Sequence, residues 1–374
     1  MKIGLVCPYN IAKSGGVLEI VLATKAELIN RGHDVKIITP LHREMADVDL
    51  PDVIFIGSST DFRSPTHTSV QVSATSDSDK IEDMLAEEQF DILHFHEPWV
   101  PMISRQILLK STSVNIATFH AQVPETIMSR SLAKAVTPYL KSVLKYLHEL
   151  TAVSEAGAEY VTSLTDEPVT IIPNGIDLTK FKWNTHHRTN GRTILYVGRL
   201  ERRKGVKYLL MAFQFLLQEE PEAKLIIAGD GPDREKLELL AEDLKLTNVS
   251  FLGYISDDLK LDLLSEADLF CSPAIFGESF GIVLLEAMAV GTVVVAGNNS
   301  GYSGLMQDVG ALSLVNPQDT VEFARRLRIL LTEEPLRALW RDWAKDYVQQ
   351  FSYPKIVDQY EELYVEALKR HGHQ

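Results

Sequence analysis

Cysteine is nearly absent from this chain: Cys7 and Cys271 are two residues in 374. Each stands alone in an apolar, strand-like run, and neither belongs to a Cys-x-x-Cys spacing. That suggests buried thiols in a reducing compartment rather than a disulfide framework. Long hydrophobic runs are missing as well. No stretch of about 18 apolar residues occurs, so no membrane-spanning helix is expected. The opening MKIGLVCPYN is too short in its apolar part, and breaks too early at Pro8, to read as a secretory signal. A cytoplasmic protein is expected. Positive charge is in deficit, with a net charge of −14. This argues against a nucleic-acid partner, because gripping a phosphate backbone needs a basic footprint. No internal repeat of about 20–50 residues is visible.

What is present is an ordinary globular composition, 45% apolar and 24% charged, long enough for two domains. Short runs rich in Ile and Val (Ile3–Cys7, Val35–Thr39, Val53–Ile56, Ile92–Phe95, Asn115–Thr118) alternate with helical patterns such as Val17–Arg31 and Lys80–Gln89. The theme restarts at Thr193–Val197 and continues through Lys224–Ala228, Val249–Phe251, Leu269–Ser272 and Thr292–Ala296. Strand–helix alternation implies parallel sheets. Two series imply an α/β chain of two doubly wound, Rossmann-like domains facing across a deep cleft. The turn IIPNGID (Ile171–Asp177) separates them, and the polar stretch Lys182–Arg192 reads as linker. The expected domains are residues 1–178 and 192–352. A closing helical segment, 353–374, carries Ile356, Tyr360, Leu363, Tyr364 and Leu368 at helical spacing.

In open α/β sheets, ligands gather at the carboxyl ends of the strands, so the loops after the strands are the informative ones. The first strand runs toward Gly15 and Gly16 just ahead of a helix, a place where backbone approaches an anion closely. A plain turn explains the same residues. The second series opens YVGRLERRKG: Gly198, Arg199 and Lys204 follow a strand and suit a diphosphate. Arg202 and Arg203 read as solvated surface. AGDGP (Ala228–Pro232) lacks the third glycine of a dinucleotide fingerprint, which argues against a dehydrogenase. His120 ends the strand NIATFH; a lone histidine there is either a site residue or a structural one. His94, His96 and Glu97 form HFHE, without a further ligand set to make a zinc site. In GESFGIVLLEAMAVG, Glu278 lies in a post-strand loop, Gly281 opens a helix, and Glu286 lies in about its second turn. The pair would bracket a nucleotide sugar, with Glu286 on the ribose, Glu278 on the hexose and the helix N-terminus on the diphosphate. A surface helix with ordinary N-terminal acids is the plain alternative.

Taken in order, SGGV, GRLERRKG, AGDGP and the E-x(7)-E pair resemble glycosyltransferase family 4 with the GT-B fold, over essentially the whole chain. Within it, MKIGLVCPYN, DILHFHEP, ATFH, IPNGID and GESFGIVLLEAMAVGTVVVA are most similar to bacterial phosphatidylinositol mannosyltransferases. The resemblance implies retaining transfer of a hexose, mannose from GDP-mannose, to a hydroxyl of a lipid acceptor. It implies catalytic roles for His120 on the transferred sugar, Arg199 and Lys204 on the diphosphate, and Glu278 on the sugar hydroxyls. Donor contacts would come from Gly15, Gly16 and Gly198, from Phe280, Gly281 and Ile282 at the helix N-terminus, and from Glu286. Tyr254 and Ile255 would line the base. Acceptor contacts fall at Tyr9, Asn10 and Leu18. No metal is held by the protein and no cofactor is tightly bound; the sugar nucleotide is a substrate, with any Mg²⁺ in solution. The last helix crosses back to the first domain.

Departures from that pattern fall on the acceptor side. Leu18, Trp99 and Ala121 stand where it has polar residues, Glu125 stands about where it has a lysine, and a basic helix is replaced by the acidic DSDKIEDMLAEEQ. A UDP-sugar donor, a soluble or polyprenyl-linked glycan acceptor, and a non-catalytic nucleotide-sugar binder therefore remain alternatives. Arg130, Lys134, Lys141 and Lys145 fall within about 60° on a helical wheel. They form either a peripheral contact with the inner face of the cell membrane or the solvated face of a core helix.

Overall fold

The computed structural model describes residues 1–9, 11, 15–41, 50–63, 69–74, 78–100, 102–121, 137–183 and 192–372. Two compact units divide the chain: Met1–Gly175 with Tyr353–Gln374, and Ile176–Ser352. Asn10, Glu125, Arg130, Lys134 and most of the polar stretch between the series lie outside the described residues.

The first unit runs β1 (Lys2–Val6), α1 (Gly16–Asn30), β2 (Asp34–Leu41), β3 (Val53–Arg63), β4 (Ser69–Ala74), α2 (Ser78–Glu88), β5 (Ile92–His96), α3 (Ile103–Leu108), β6 (Val114–Phe119), α4 (residues 137–144), β7 (Glu149–Ala152), α5 (Glu155–Thr162) and β8 (Val169–Ile171). Its strands lie in the order β4-β3-β2-β1-β5-β6-β7-β8. All neighbours are parallel except β3 and β4, which pair antiparallel at the edge. Successive residues of a strand face opposite sides. Ile3, Leu5 and Cys7, with Ile92, Val114 and Ile116, therefore build one core, while Val6, Leu93, Phe95, Ala117 and Phe119 build the other.

The second unit runs β9 (Thr193–Val197), α6 (Val206–Glu219), β10 (Lys224–Ala228), α7 (Arg234–Asp243), β11 (Val249–Gly253), α8 (Asp257–Glu266), β12 (Leu269–Ser272), α9 (Ile282–Val290), β13 (Val293–Gly297), α10 (Ser300–Leu305), β14 (Leu314–Val315), α11 (Thr320–Thr332) and α12 (Glu334–Tyr347). Its sheet is parallel throughout, in the order β11-β10-β9-β12-β13-β14. The chain then closes with α13 (Tyr353–His371), which belongs to the first unit. There Ile356, Val357, Tyr360 and Tyr364 complete the core that holds Ile3 and Leu5. Arg31 at the end of α1 pairs with Asp358 at 2.7 Å and with Glu361, anchoring α13 beside α1.

Strand order reverses between β1 and β5 in the first sheet and between β9 and β12 in the second. The loops after those four strands therefore flank the switch points, where doubly wound sheets take up ligands.

In the second unit the loop after β9 is packed backbone against backbone on the loop after β10, which in turn meets the end of β11. Leu200 N donates to Asp230 O (2.9 Å), and Gly229 N donates to Gly253 O (2.7 Å). A Cβ on Gly229 would lie 1.9 Å from Gly198 O, and one on Gly231 would lie 2.3 Å from Leu200 O. The glycines of AGDGP are thus required by loop packing. Gly229 also has φ +134°, so Gly229→Ala is expected to destabilise the second unit by about 2 kcal/mol or more. Gly304→Ala, in α10 where no described atom lies within 4 Å of the added Cβ, is expected to be neutral or stabilising by up to about 1 kcal/mol. Urea unfolding of the two variants checks the pair.

Candidate active site

In the second unit, β9 delivers Gly198, Arg199 and a short 3₁₀ turn, Arg202–Lys204. β12 delivers the loop that carries Glu278 to the start of α9. The two loops are tied by Ile275 N donating to Arg203 O (2.8 Å). Glu278 Oε1 sits 2.7 Å from Lys204 Nζ and 2.5 Å from Arg203 Nη1. Arg203 Nη1 also donates to Gly277 O (3.0 Å), and its Nε meets Glu201 Oε1 at 2.7 Å. Arg199, the most exposed of the set, lies 3.7 Å from Glu201. Three cations against two carboxylates leave one positive charge on this surface, which suits an anionic ligand.

Arg203 departs from the sequence expectation. Its side chain is about three-quarters withdrawn from solvent, whereas Arg202 is exposed. Burial lowers the guanidinium pKa, but Glu278 and Glu201 outweigh it and hold the group above its ordinary value. The 3₁₀ turn sends adjacent residues to different sides, so neighbours of like charge take different roles.

Gly281 has φ +104°, and a Cβ there would meet the Tyr302 ring at 2.9 Å. Tyr302 is fixed in turn by Ser272 Oγ (2.9 Å) and by Asn299 Oδ1, which accepts from its amide. Leu284 N and Leu285 N both bond back to Gly281 O. The amides ahead of them at the N-terminus of α9 therefore have no carbonyl of that helix to reach, a disposition that favours phosphate. Phe280 offers only its backbone, because its ring is buried edge-on against Phe351.

Glu286 is the fifth residue of α9 and is buried, in a helix whose last seven residues are all buried. This rules out the plain reading of an exposed N-terminal acid. Lys260 Nζ of α8 meets its Oε1 at 2.9 Å. No spacing in the sequence announces Lys260. Tyr254 and Ile255 follow β11, and Tyr254 is 80% exposed.

In the first unit, the face of the sheet beneath α13 changes character along the strands. β5 reads Ile92, His94, His96 on that face, and β6 reads Val114, Ile116, Thr118, apolar first and polar toward the carboxyl ends. His94 bonds Tyr364 Oη through Nδ1 (2.7 Å) and Thr118 Oγ1 through Nε2 (2.6 Å). Thr118 continues to Thr151 (2.6 Å). His96 Nδ1 meets His120 Nε2 at 2.9 Å. The nitrogens read from sequence as possible zinc ligands are thus largely taken up by protein bonds. Glu97, at φ +52°, accepts the His120 amide at 2.6 Å.

Burial holds all three imidazoles neutral: His94 falls to about 3, His120 to about 4 against the opposing pull of Asn174, and His96 lies well below the ordinary range. Burial raises Glu97 to about 8 against the amides of His120 and Ala121. It also raises the Tyr9 phenol, with the nearby Glu97 charge adding to the shift.

Gly16 opens α1 behind Gly15, around whose Cβ direction no described atom lies within 4 Å. Tyr9 packs at the margin of the α1 core. Leu18 corrects its expectation: it is 4% exposed and belongs to the core with Ile3 and Tyr364, so its side chain is committed to packing. On α4, Lys141 is exposed opposite buried Leu140 and Val143, and Lys145 just beyond it is exposed too.

A buried histidine with a depressed folded pKa releases its proton on folding. Its contribution is complete above the unfolded value near 6.5 and is lost as pH falls toward 4 for His120 and 3 for His94. Acidification below about pH 6.5 is therefore expected to favour opening of β5 and β6, read as a fall in amide protection once the intrinsic exchange rate at each pH is divided out. His94→Gln should flatten that acid limb; an unchanged slope would place the protonation elsewhere.

The profile described as "Glycosyl transferases group 1" matches residues 177–347, and that described as "Glycosyltransferase Family 4" matches residues 14–180. The phosphatidyl-myo-inositol mannosyltransferase of Mycolicibacterium smegmatis is 32% identical over 370 residues, 97% of this chain and 93% of the relative. Among solved structures, sucrose-phosphate synthase from Thermosynechococcus elongatus superposes with a TM-score of 0.77 at 20% identity, covering 99% of each chain. Anabaena HepE in complex with UDP superposes at 0.75 and 18% identity, covering 98% of this chain and all of that one. Both share the two-Rossmann GT-B architecture.

Proposed function

The chain belongs to glycosyltransferase family 4, and from that membership we propose that it moves mannose from GDP-mannose to a hydroxyl of a phosphatidylinositol-like lipid, with retention of anomeric configuration. The observation that carries this reading is the set Arg199, Arg203, Lys204 and Glu278 gathered at the N-terminus of α9, in a chain 32% identical to a phosphatidyl-myo-inositol mannosyltransferase.

Breaking a sugar–diphosphate bond builds negative charge on the leaving oxygen. Arg199, Lys204 and the α9 amides stabilise that charge, and they are held in place before the reaction begins. Glu278, steadied by Arg203 and Lys204, accepts hydrogen bonds from the hexose. Glu286, steadied by Lys260, accepts them from the ribose. His120 contacts the transferred sugar. Tyr254 and Ile255 line the base, and Gly15 and Gly16 let the α1 N-terminus approach the diphosphate. The acceptor hydroxyl attacks from the face the diphosphate leaves, and the diphosphate assists its deprotonation, so positioning supplies the rest of the rate. The sugar nucleotide is a substrate, and any Mg²⁺ comes with it from solution. Lys141 and Lys145 provide a peripheral membrane contact in this reading; among the described residues no helix is long and apolar enough to cross a membrane.

A second reading, transfer from GDP-mannose or a UDP-sugar to a soluble or polyprenyl-linked glycan, draws its glycan acceptor from the acidic α2 and the burial of Leu18. Transfer of labelled mannose from GDP-mannose into the organic phase of a phosphatidylinositol-containing lipid extract separates the two. Lys204→Ala and Glu278→Ala are each expected to lower turnover about a hundredfold or more. Near-normal turnover in both variants would sink the site assignment.

A further inference from the structure

The two cations that meet Glu278 meet the same oxygen. Lys204 Nζ lies 2.7 Å and Arg203 Nη1 2.5 Å from Oε1. Glu278 Oε2 has no partner among the described residues, and it is not one of the polar atoms enclosed without a partner. It is therefore open to solvent. One oxygen of the carboxylate is committed to the clamp, and the other is available to a ligand.

An arginine and a carboxylate do not adopt that division by themselves. A guanidinium presents its donors as a fork, and its strongest pairing lays two parallel N–H bonds across both carboxylate oxygens. Arg203 makes a single contact with Glu278 instead. Its Nη1 also donates to Gly277 O at 3.0 Å, and its Nε is drawn the other way, to Glu201 Oε1 at 2.7 Å. Glu201 is placed to do this. It stands just ahead of the 3₁₀ turn, and its carbonyl accepts from Lys204 N at 2.9 Å. Its side chain is 10% exposed, less than either arginine it meets, and its Oε2 lies 3.7 Å from Arg199 Nε. The carboxylate is thus held between the two arginines. Nothing in the sugar-transfer reading otherwise uses it.

We propose that Glu201 is a positioning residue: by holding Arg203 Nε it keeps Arg203 on a single oxygen of Glu278, and so leaves Oε2 free to accept hydrogen bonds from the hydroxyls of the ligand. The inference deepens the sugar-transfer reading and rests on it for the identity of that ligand, a hexose. Without Glu201 the guanidinium turns on its stem and forks across both oxygens. Glu278 then keeps its place in the loop and loses the acceptor that the hexose needs. The nucleotide and its diphosphate do not use that acceptor, so the loss falls on the sugar.

Glu201→Ala is accordingly expected to lower kcat/KM for GDP-mannose about tenfold or more, while the Kd of GDP changes less than about threefold. Glu201→Gln keeps an oxygen for Nε and is expected to recover most of that loss. Arg203→Lys keeps the charge and removes the fork. In that background Glu201→Ala is expected to cost less than about twofold further. Losses that multiply would mean that Glu201 acts apart from Arg203 and would overturn the proposal. A GDP affinity that falls as far as kcat/KM overturns it too, since that is the mark of a loosened loop. Crystal structures of the wild type and of Glu201→Ala read the geometry directly, with Arg203 on Oε1 alone in the first and across both oxygens in the second. A wild-type Arg203 already forked across Glu278 overturns the proposal without any variant having to fold, and so does a single contact unchanged in Glu201→Ala. Because the structures are independent of turnover, failure of the sugar-transfer reading, seen as no mannose transfer by the wild type, is told apart from failure of the positioning role.

Discussion

A carboxylate shared by two cations governs the second unit's carboxyl edge. Glu278 stands in a loop that leaves β12 and must stay irregular to bring its backbone to the start of α9. Irregular backbone is entropically expensive to hold in one conformation. Lys204 and Arg203, both from the loop after β9, supply the restraint by meeting one oxygen of that carboxylate. Because β9 and β12 are neighbours across the strand-order reversal, the ion pairs clamp the two loops of the switch point together. The same cluster then has two uses. It fixes the N-terminus of α9, and it leaves excess positive charge beside it. The isolated pairs are only partly buried, so their energetic worth is modest; what they contribute is geometry.

The first unit meets its structural demands differently. Its core face under α13 begins as aliphatic packing and ends as a polar seam of His94, His96, Thr118 and Thr151, capped by Tyr360 and Tyr364. A polar group so deep is tolerable only when bonded. The seam is therefore satisfied from its interior outward, and its atoms without a partner among the described residues collect where the strands end, at His96, Glu97 and His120. A gradient of this kind delivers polar atoms to a strand terminus without opening the core below it.

These two modes of construction explain what the sequence made legible. The parallel alternation of β1, β2, β5 and β6, and of β9 through β13, is written in short aliphatic runs, and the structure follows it. Strands β4, β7 and β8 escape that reading. SVQVSA and VTI are polar or brief, and ELTA begins on a glutamate. Membership in the sheet is conferred on them by neighbours. The motifs of the second unit are local in sequence, each a strand end followed by glycine and charge, so they stand out before folding. Lys260 lies 26 residues from Glu286, and Tyr364 lies 270 from His94. No window of sequence holds either pair.

Arg202 and Arg203 show how fine that boundary is. They are identical in chemistry and adjacent in the chain, yet one turn of 3₁₀ helix leaves the first in water and draws the second, half-buried, between Glu201 and Glu278. Composition carries no trace of the difference, because it arises from which loop lies alongside. The same logic separates residues that are fixed from residues that are open to change. Gly229 and Gly281 are held by backbone and ring atoms that leave no room for a side chain. The acids of α2, by contrast, are held by side-chain ion pairs alone, Glu82 with Lys110 and Glu88 with Lys2 and Lys36.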